Sequence, residues 1–244
     1  MRTSILLILG LICSPVLVTA GDPEAEAILA KARKRLGSEA KLNGVQSLRF
    51  TGTITTVKGK SNSIEIVLKK PYKQLQVFVG DKMVREIGLN DYVAWTRVYN
   101  IKTPSLYNLM LHNSEALRRI RASTFENLYF FFPFSNRWRK VEYLDRDVYD
   151  GLKVHRVKVS YGKVYYLRYI EETTGQLVLT EVETGERIVE GGEMFAGGIR
   201  FPRTLTTFKA GNEVHQIAFD EIQVNPDLDD SLFTLPPLPG LKQK

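Results

Sequence analysis

Apolar and polar residues alternate along most of this chain, and a period of two residues predicts β-strands with one buried face. In the first half, Leu48, Phe50 and Ile54 alternate with threonines and an arginine. Past Trp138 the alternation returns and continues, broken by short turns that contain glycine, almost to the end of the chain. In total the pattern predicts about ten to twelve strands, joined mainly as antiparallel hairpins.

Two segments have helical spacing instead. The first covers residues 22–37, where an acidic cap and a proline begin the helix and a glycine ends it. We expect its basic residues to face solvent: Lys31, Arg33, Lys34 and Arg35. The second is a helical insertion within about 101–135, whose clearest part begins with Ser114 as cap and ends at Pro133.

These elements indicate a mainly β protein of the α+β class. No strand–helix–strand alternation occurs, which excludes the parallel sheets of nucleotide-binding folds. We therefore expect a strongly curved antiparallel sheet that forms an incomplete β-barrel, with an N-terminal helix and a central helical lid. No shift in composition marks a linker, so residues 21–244 are expected to form a single domain.

Residues 1–20 have the pattern of a cleaved signal peptide, in which Arg2 precedes an apolar stretch that ends in Val18-Thr19-Ala20. The one cysteine, Cys13, lies in this segment, so the mature chain has no thiol for a disulfide, a nucleophile or a metal site. Export without disulfides favours the periplasm of a Gram-negative-type bacterium.

The chain carries a formal net charge of +7 and has an isoelectric point near 9.4. In an exported protein this charge favours anionic lipid, transient contact with a membrane surface, or a negative protein partner, and disfavours nucleic acid. Ordinary solvation of a basic surface is the plainer alternative.

No group of residues has the spacing of a catalytic or metal site. The histidines, His112, His155 and His215, lie far apart, and neither an HExxH nor a GxSxG motif occurs. The acids at 227–230 lack the glycine and distal glutamate of a calcium loop. Those at 142–150 are explained as surface charges rather than as a glycosidase pair. We expect no enzymatic activity, no cofactor and no metal.

The run Tyr129-Phe130-Phe131-Phe132 places rings on every side of the last turn of the central helix. A core helix with a Phe-rich end explains this run as well as a functional role does. The functional alternative is an apolar lid over a cavity for a lipid-like ligand. The candidate residues are then Leu117, Ile120, Phe125, Leu128 and Phe132 for the lid, Phe50, Ile64, Ile66, Val77 and Trp95 for the walls, and Arg118, Arg119 and Arg121 for headgroups or a partner.

Three stretches resemble the LolA-like group of outer-membrane lipoprotein-sorting proteins. The opening ILAKARKRLGSEAKLNGVQSLRFTGTITT is similar to its first helix, link and strand. The ending GGIRFPRTLTTFKAGNEVHQIAFDEIQVNPDLDDSLFTLP is similar to its last hairpin and terminal turn, and KVHRVKVSYGKVYYLRYIEETTGQLVLTE to its middle hairpin. The resemblance extends over residues 22–237 and is least specific at 101–150.

The resemblance implies an incomplete barrel whose open side is closed by helices around an apolar cavity. Characterised members carry the acyl chains of lipoproteins from an inner-membrane donor to an outer-membrane acceptor. We therefore expect a monomeric periplasmic carrier or chaperone for a lipoprotein or another lipid. A sensor or scaffold domain that binds a membrane protein is the alternative. The group's helix-closing arginine has no local motif that assigns it here.

Overall fold

The computed structural model describes residues 21–238, and the predicted signal peptide lies outside them. The helices are α1 (Pro23–Leu36), α2 (Glu39–Asn43), α3 (Ser114–Tyr129) and a terminal 3-10 helix (Asp230–Phe233). The strands are β1 (Ser47–Thr56), β2 (Ser61–Lys69), β3 (Lys73–Val79), β4 (Met83–Asn90), β5 (Val93–Asn100), β6 (Tyr107–Leu111), β7 (Lys140–Tyr149), β8 (Leu152–Tyr161), β9 (Val164–Glu171), β10 (Leu177–Val182), β11 (Glu186–Gly191), β12 (Met194–Ala196), β13 (Ile199–Phe201), β14 (Thr204–Lys209) and β15 (Asn212–Val224).

Thirteen strands form one sheet in the order β6-β5-β4-β3-β2-β1-β15-β14-β11-β10-β9-β8-β7, and β12 and β13 form a separate ribbon. Long antiparallel pairing between β1 and β15 joins the two ends of the chain at the middle of the sheet. Because β6 and β7 are both edge strands, the sheet is not closed. The predicted mainly β fold, a strongly curved antiparallel sheet forming an incomplete barrel, is confirmed.

Helix α1 matches its prediction at both ends. The Asp22 carboxylate accepts hydrogen bonds from the backbone N–H groups of Glu24 and Ala25, and Gly37 follows the last turn. One expectation about its faces is wrong. Arg33 does not face solvent, since only 3% of it is exposed.

Helix α3 is shorter than the predicted insertion. Asn113, not Ser114, caps it, because the Asn113 side chain accepts a hydrogen bond from the third backbone N–H that follows. Phe130 and Phe131 have φ angles of 49° and 56°, which end the helix before Pro133. Residues 107–111, within the stretch predicted as helical, form the edge strand β6.

Two further details of the predicted strands differ. The strand expected over residues 199–209 is interrupted at Pro202, and the Gly-rich segment before it forms the β12–β13 ribbon. In the C-terminal segment, Asp230 pairs with Lys69 and Lys73, each at 2.7 Å. These two contacts connect the 3-10 helix that begins at Asp230 to β2 and to β3.

The pairing register assigns each strand residue to one of two faces of the sheet, since directly opposite residues share a face. Ile64 lies opposite Phe78, which lies opposite Arg85, on the face that we call the inner face. Val67 belongs to the outer face, where it packs against Leu228 and Phe233 of the C-terminal segment. Every helix among residues 21–238 is too short or too polar to span a bilayer.

Candidate functional site

An open groove with a volume of about 810 Å³ runs along the inner face of one half of the sheet. All of its lining residues come from β1–β4, β15 and the turns between these strands. Its walls are largely apolar, and polar or charged side chains surround its mouth. The apolar residues are Ile54, Ile64, Ile66, Phe78, Met83 and Ile217; the charged residues are Lys60, Asp81, Lys82 and Arg85, with His215 on the opposite wall.

A smaller cavity of about 160 Å³ lies deeper, between the sheet and the end of α3. Ile66 lines both spaces, so the cavity adjoins the inner end of the groove. Its apolar lining includes Phe50, Phe130, Phe131, Phe201 and Phe219, while its polar lining is Glu126, Asn127, Arg168, Glu190 and Arg200. The cavity is therefore apolar towards the sheet and charged at one end.

Glu126 is the centre of that charged end. Its carboxylate accepts hydrogen bonds from Arg139 Nε at 2.8 Å, from Tyr161 Oη at 2.5 Å and from Arg168 Nη2 at 3.1 Å. The carboxylate and Arg139 are almost completely buried. Burial alone would raise the pKa of Glu126, but Arg139 and Arg168 together hold it below its ordinary value. These contacts attach α3 to the loop after it and to β8 and β9.

Glu190 also lines the cavity and has no ion pair within residues 21–238. Burial raises the pKa of its carboxyl group to about 7, although Arg168 and Arg200 act in the opposite direction. The buried Nε of Arg168 has no hydrogen-bond partner among the described residues. Polar groups at this end of the cavity are therefore incompletely satisfied.

Arg33 connects α1 to the end of α3. Its Nη1 donates to the carbonyl oxygens of Tyr129 at 2.5 Å and Phe130 at 2.9 Å. Its remaining donors bind Glu39 and Asn43 of α2. The last carbonyls of a helix carry a partial negative charge and lack partners within the helix, so a buried guanidinium is well suited to hold them. Arg33 therefore connects α1 and α2 to the end of α3, through contacts that the sequence had not indicated.

Three of the predicted wall residues lie on the inner face. Phe50 lines the deep cavity, Ile64 lines the groove, and Ile66 lines both. The ring of Phe50 packs against Phe201 and Phe219 at centroid distances of 5.7 and 5.3 Å. These residues lie together on the apolar part of the inner face.

The other two predicted wall residues lie on the outer face, so their placement in the cavity wall is corrected. Val77 lies opposite Glu65 and Glu86, on the side that faces away from the groove. Trp95 lies opposite Gly88, and a Cβ atom on that glycine would come within 2.2 Å of the indole ring. A shift of one residue along a strand exchanges the two faces, which explains both errors.

The predicted lid residues do not line the cavity. Leu117 and Ile120 are half-buried, and Leu128 is completely buried in the core. Phe125 stacks on Tyr129 at 4.1 Å and contacts Phe132, in a half-buried aromatic cluster. The side chains of this segment that do reach the cavity are Glu126, Asn127, Phe130 and Phe131.

The three predicted headgroup arginines have different environments. Arg119 pairs with Glu183 at 2.5 Å and with Glu115 at 3.2 Å. Arg121 lies between the rings of Tyr72 and Tyr92, about 4 Å from each. Arg118 is exposed and has no ion pair in the part of the chain that the structure describes.

Three solved structures are similar to this chain over most of its length. They are a DUF1329 family protein from Desulfovibrio piger (TM-score 0.56, 10% identity), a putative outer membrane lipoprotein-sorting protein domain from Vibrio parahaemolyticus (0.54, 9%) and a LolA superfamily protein from Nitrosomonas europaea (0.53, 12%). Each alignment covers 86% of this chain and 97% of the other. Neither protein-family models nor curated protein sequences match the chain.

At these identities the likeness concerns the fold. The chain has the LolA-like fold, as its N-terminal and C-terminal sequence motifs indicated. None of the three similar structures is described as an enzyme.

Proposed function

We propose that this protein is a periplasmic carrier that binds the acyl chains of a lipid or lipoprotein in the groove and later releases them. The observation that carries the proposal is the groove itself, an apolar trough of about 810 Å³ on the inner face of a LolA-like sheet. Its volume lies within the range of about 300–1,000 Å³ typical of ligand sites. The groove is partly open to solvent, which favours both entry and release.

The dimensions of the groove suit an acyl chain. From Lys60, in the turn before β2, to Ile66 within β2 it extends over six residue steps, and at about 3.3 Å per residue this distance is roughly 20 Å. One leaflet of a bilayer has a hydrocarbon thickness of about 15 Å. Burying about ten methylenes would contribute about 8 kcal/mol, equivalent to a micromolar dissociation constant before the costs of ordering are subtracted.

The deep cavity extends this proposal to the helices. Since Ile66 lines both spaces, movement of the end of α3 away from the sheet would join the cavity to the groove. Arg33 holds that end through the Tyr129 and Phe130 carbonyls and would have to release it. In this proposal α3 is the lid, although its cavity-facing side chains are not those expected from the sequence.

The segment after α3 supports contact with a donor or acceptor. Phe134 and Trp138 are 55% and 69% exposed, and Arg137 lies over the Trp138 ring. Exposed aromatic and cationic side chains are typical of surfaces that meet a membrane or a protein partner. We propose that the cargo passes here from an inner-membrane donor towards an outer-membrane acceptor.

The first experiment is native mass spectrometry of the purified protein, followed by extraction and lipid analysis. We expect one acylated species bound per protein. Ile54 and Ile217 lie opposite each other in the groove and are only half-buried, so Ile54→Glu with Ile217→Glu should abolish binding without unfolding the sheet.

The matched control replaces two exposed apolar residues of β7, as Leu144→Glu with Val148→Glu. This variant should retain the lipid, because β7 lies at the edge of the sheet far from the groove. Protein that is empty and also refuses added lipid and lipoprotein would contradict the carrier proposal and favour a scaffold. Equal loss of lipid in both double variants would contradict the assignment of the groove.

A further inference from the structure

Three cationic side chains meet at the mouth of the groove. Lys60 lies in the turn between β1 and β2, Lys82 lies in the turn between β3 and β4, and Arg85 lies near the start of β4. All three are exposed, and none has an ion pair within residues 21–238. Because β1–β2 and β3–β4 are neighbouring hairpins, their turns bring these charges to one end of the inner face.

This arrangement differs from that of many other cations on the sheet. Arg49 pairs with Glu65 at 2.5 Å, and Arg97 binds Glu86 through two hydrogen bonds. Cations that pair across strands in this way are already neutralised within the protein. The mouth of the groove keeps its charge available for a ligand.

Few acidic groups oppose this charge. Asp81 is the one carboxylate that lines the groove, so three cations and one anion leave a formal charge of +2 at the mouth. On the opposite wall, burial lowers the pKa of His215. Glu186 and Glu213 raise that pKa, but their effect is smaller than the effect of burial. His215 is therefore expected to be neutral at pH 7 and does not alter this balance.

We propose that the groove selects amphiphiles with a net negative phosphate headgroup, which lies at the mouth among Lys60, Lys82 and Arg85. This inference rests on the proposed carrier function and specifies its class of cargo. Lysine and arginine are the usual partners of phosphate oxygens, and the apolar groove begins directly beside them. With the phosphate at the mouth, the acyl chain runs along β2 towards Ile66.

The test compares two probes with identical acyl chains, phosphatidylglycerol and phosphatidylcholine, in vesicles mixed with the purified protein. The amount of each lipid extracted per protein is measured at low and high salt. We expect phosphatidylglycerol to bind about tenfold more tightly, as several partly exposed ion pairs together would give. This preference should shrink at high salt, because the charges are solvent-exposed.

The triple variant Lys60→Glu, Lys82→Glu and Arg85→Glu should lose the preference while still binding phosphatidylcholine. The corresponding glutamine triple provides a milder change, in case charge reversal impairs folding. A control of equal charge is Lys140→Glu, Lys153→Glu and Lys163→Glu, at exposed positions on the other half of the sheet. That control should keep the preference.

The outcomes separate the two proposals. If neither lipid binds and added lipoprotein does not bind either, the carrier function itself fails; if lipoprotein alone binds, the carrier stands and the phosphate-headgroup selection is wrong. If both lipids bind equally, and the triple variants bind them like the original protein, the carrier stands and the headgroup selection is wrong. Glycerol phosphate added as a competitor should displace little lipid; strong displacement would show a site for free phosphate and overturn the inference.

Discussion

Replacing Glu126 by glutamine keeps the shape of the side chain but removes the carboxylate that pairs with two buried arginines. Arg139 is fully buried and Arg168 nearly so, and each has its ion pair with Glu126 and with no other acid in residues 21–238. Glutamine retains one acceptor oxygen and adds two donors that would point at guanidinium groups. The variant therefore removes the ion-pair partner of two buried guanidinium groups.

The expected cost is large compared with the stability of a domain. Removing one partner of a buried ion pair typically costs about 3–5 kcal/mol, whereas whole domains are stable by about 5–15 kcal/mol. We expect Glu126→Gln to lower the free energy of unfolding by about 4 kcal/mol, since Tyr161 also loses its charged acceptor. The triple variant Glu126→Leu, Arg139→Met and Arg168→Met should lose much less stability than Glu126→Gln, because no unpaired charge remains.

The assay is urea unfolding at neutral pH, followed by circular dichroism. The single variants Glu126→Gln, Arg139→Met and Arg168→Met are measured together with the triple variant. A loss below about 1 kcal/mol for Glu126→Gln would contradict the argument from buried charge. The same conclusion would follow if the triple variant were less stable than each single variant. A change in the slope with denaturant would indicate altered compactness rather than altered stability.

The pH dependence provides an independent check. Burial opposes ionisation of Glu126, but Arg139 and Arg168 keep its folded pKa below the ordinary value. A carboxylate with a lowered folded pKa stabilises the protein above its unfolded pKa, and this contribution is lost as the pH falls through the folded value. Stability of the unmodified protein should therefore fall more steeply in acid than that of Glu126→Gln.

Three further substitutions test other parts of the structure. Arg33→Met should destabilise the protein by about 3 kcal/mol, because one buried and one partly buried carbonyl lose a charged donor, and should speed hydrogen exchange at the end of α3. Glu190→Gln should add about 3 kcal/mol to the unfolding free energy at pH 8 and nothing at pH 4. The folded pKa of about 7 lies above the ordinary value for glutamate, so ionising Glu190 costs stability as the pH rises from 4.5 to 7. Gly88→Ala should lower the free energy of unfolding by about 1–3 kcal/mol and shift the fluorescence of Trp95, because the Trp95 ring occupies the space of the new methyl group. An unchanged melting temperature would contradict the outer-face position of that ring.

Much of the architecture follows from local patterns. The alternation of apolar residues located most strands, and Asp22, Pro23 and Gly37 marked both ends of α1. The edge strand β6 was missed because Tyr107–Leu111 is short and its apolar residues do not alternate with polar ones. The end of α3 was placed too late, since the positive φ angles of Phe130 and Phe131 leave no trace in residue type.

The site was less predictable because it depends on pairs that are distant along the chain. Arg33 reaches Tyr129 and Phe130 across almost 100 positions, and no spacing rule connects them. The contacts of Glu126 are equally hard to predict, because its partners lie on the following loop and on β8 and β9. The one available indication was that Glu126 is a single acid among the aromatic residues at the end of α3. Its role as the centre of a buried ion-pair cluster becomes clear only when its arginine partners are known.

The side of α3 that meets the sheet is mixed: Ala122 and Leu128 pack in apolar clusters, and two polar residues lie between them. Thr124 donates to Gln74 of β3 at 3.1 Å, and Glu126 lies among its arginines. When an apolar helix surface leaves a sheet, each exposed methylene costs about 0.8 kcal/mol, and contact with water does not offset this cost. When a charged surface separates, water solvates the released groups and recovers much of the desolvation penalty of the closed state. We infer that the polar contacts fix the position of α3, and that the cost of opening the proposed lid comes mainly from exposing Leu128 and the apolar residues packed around it.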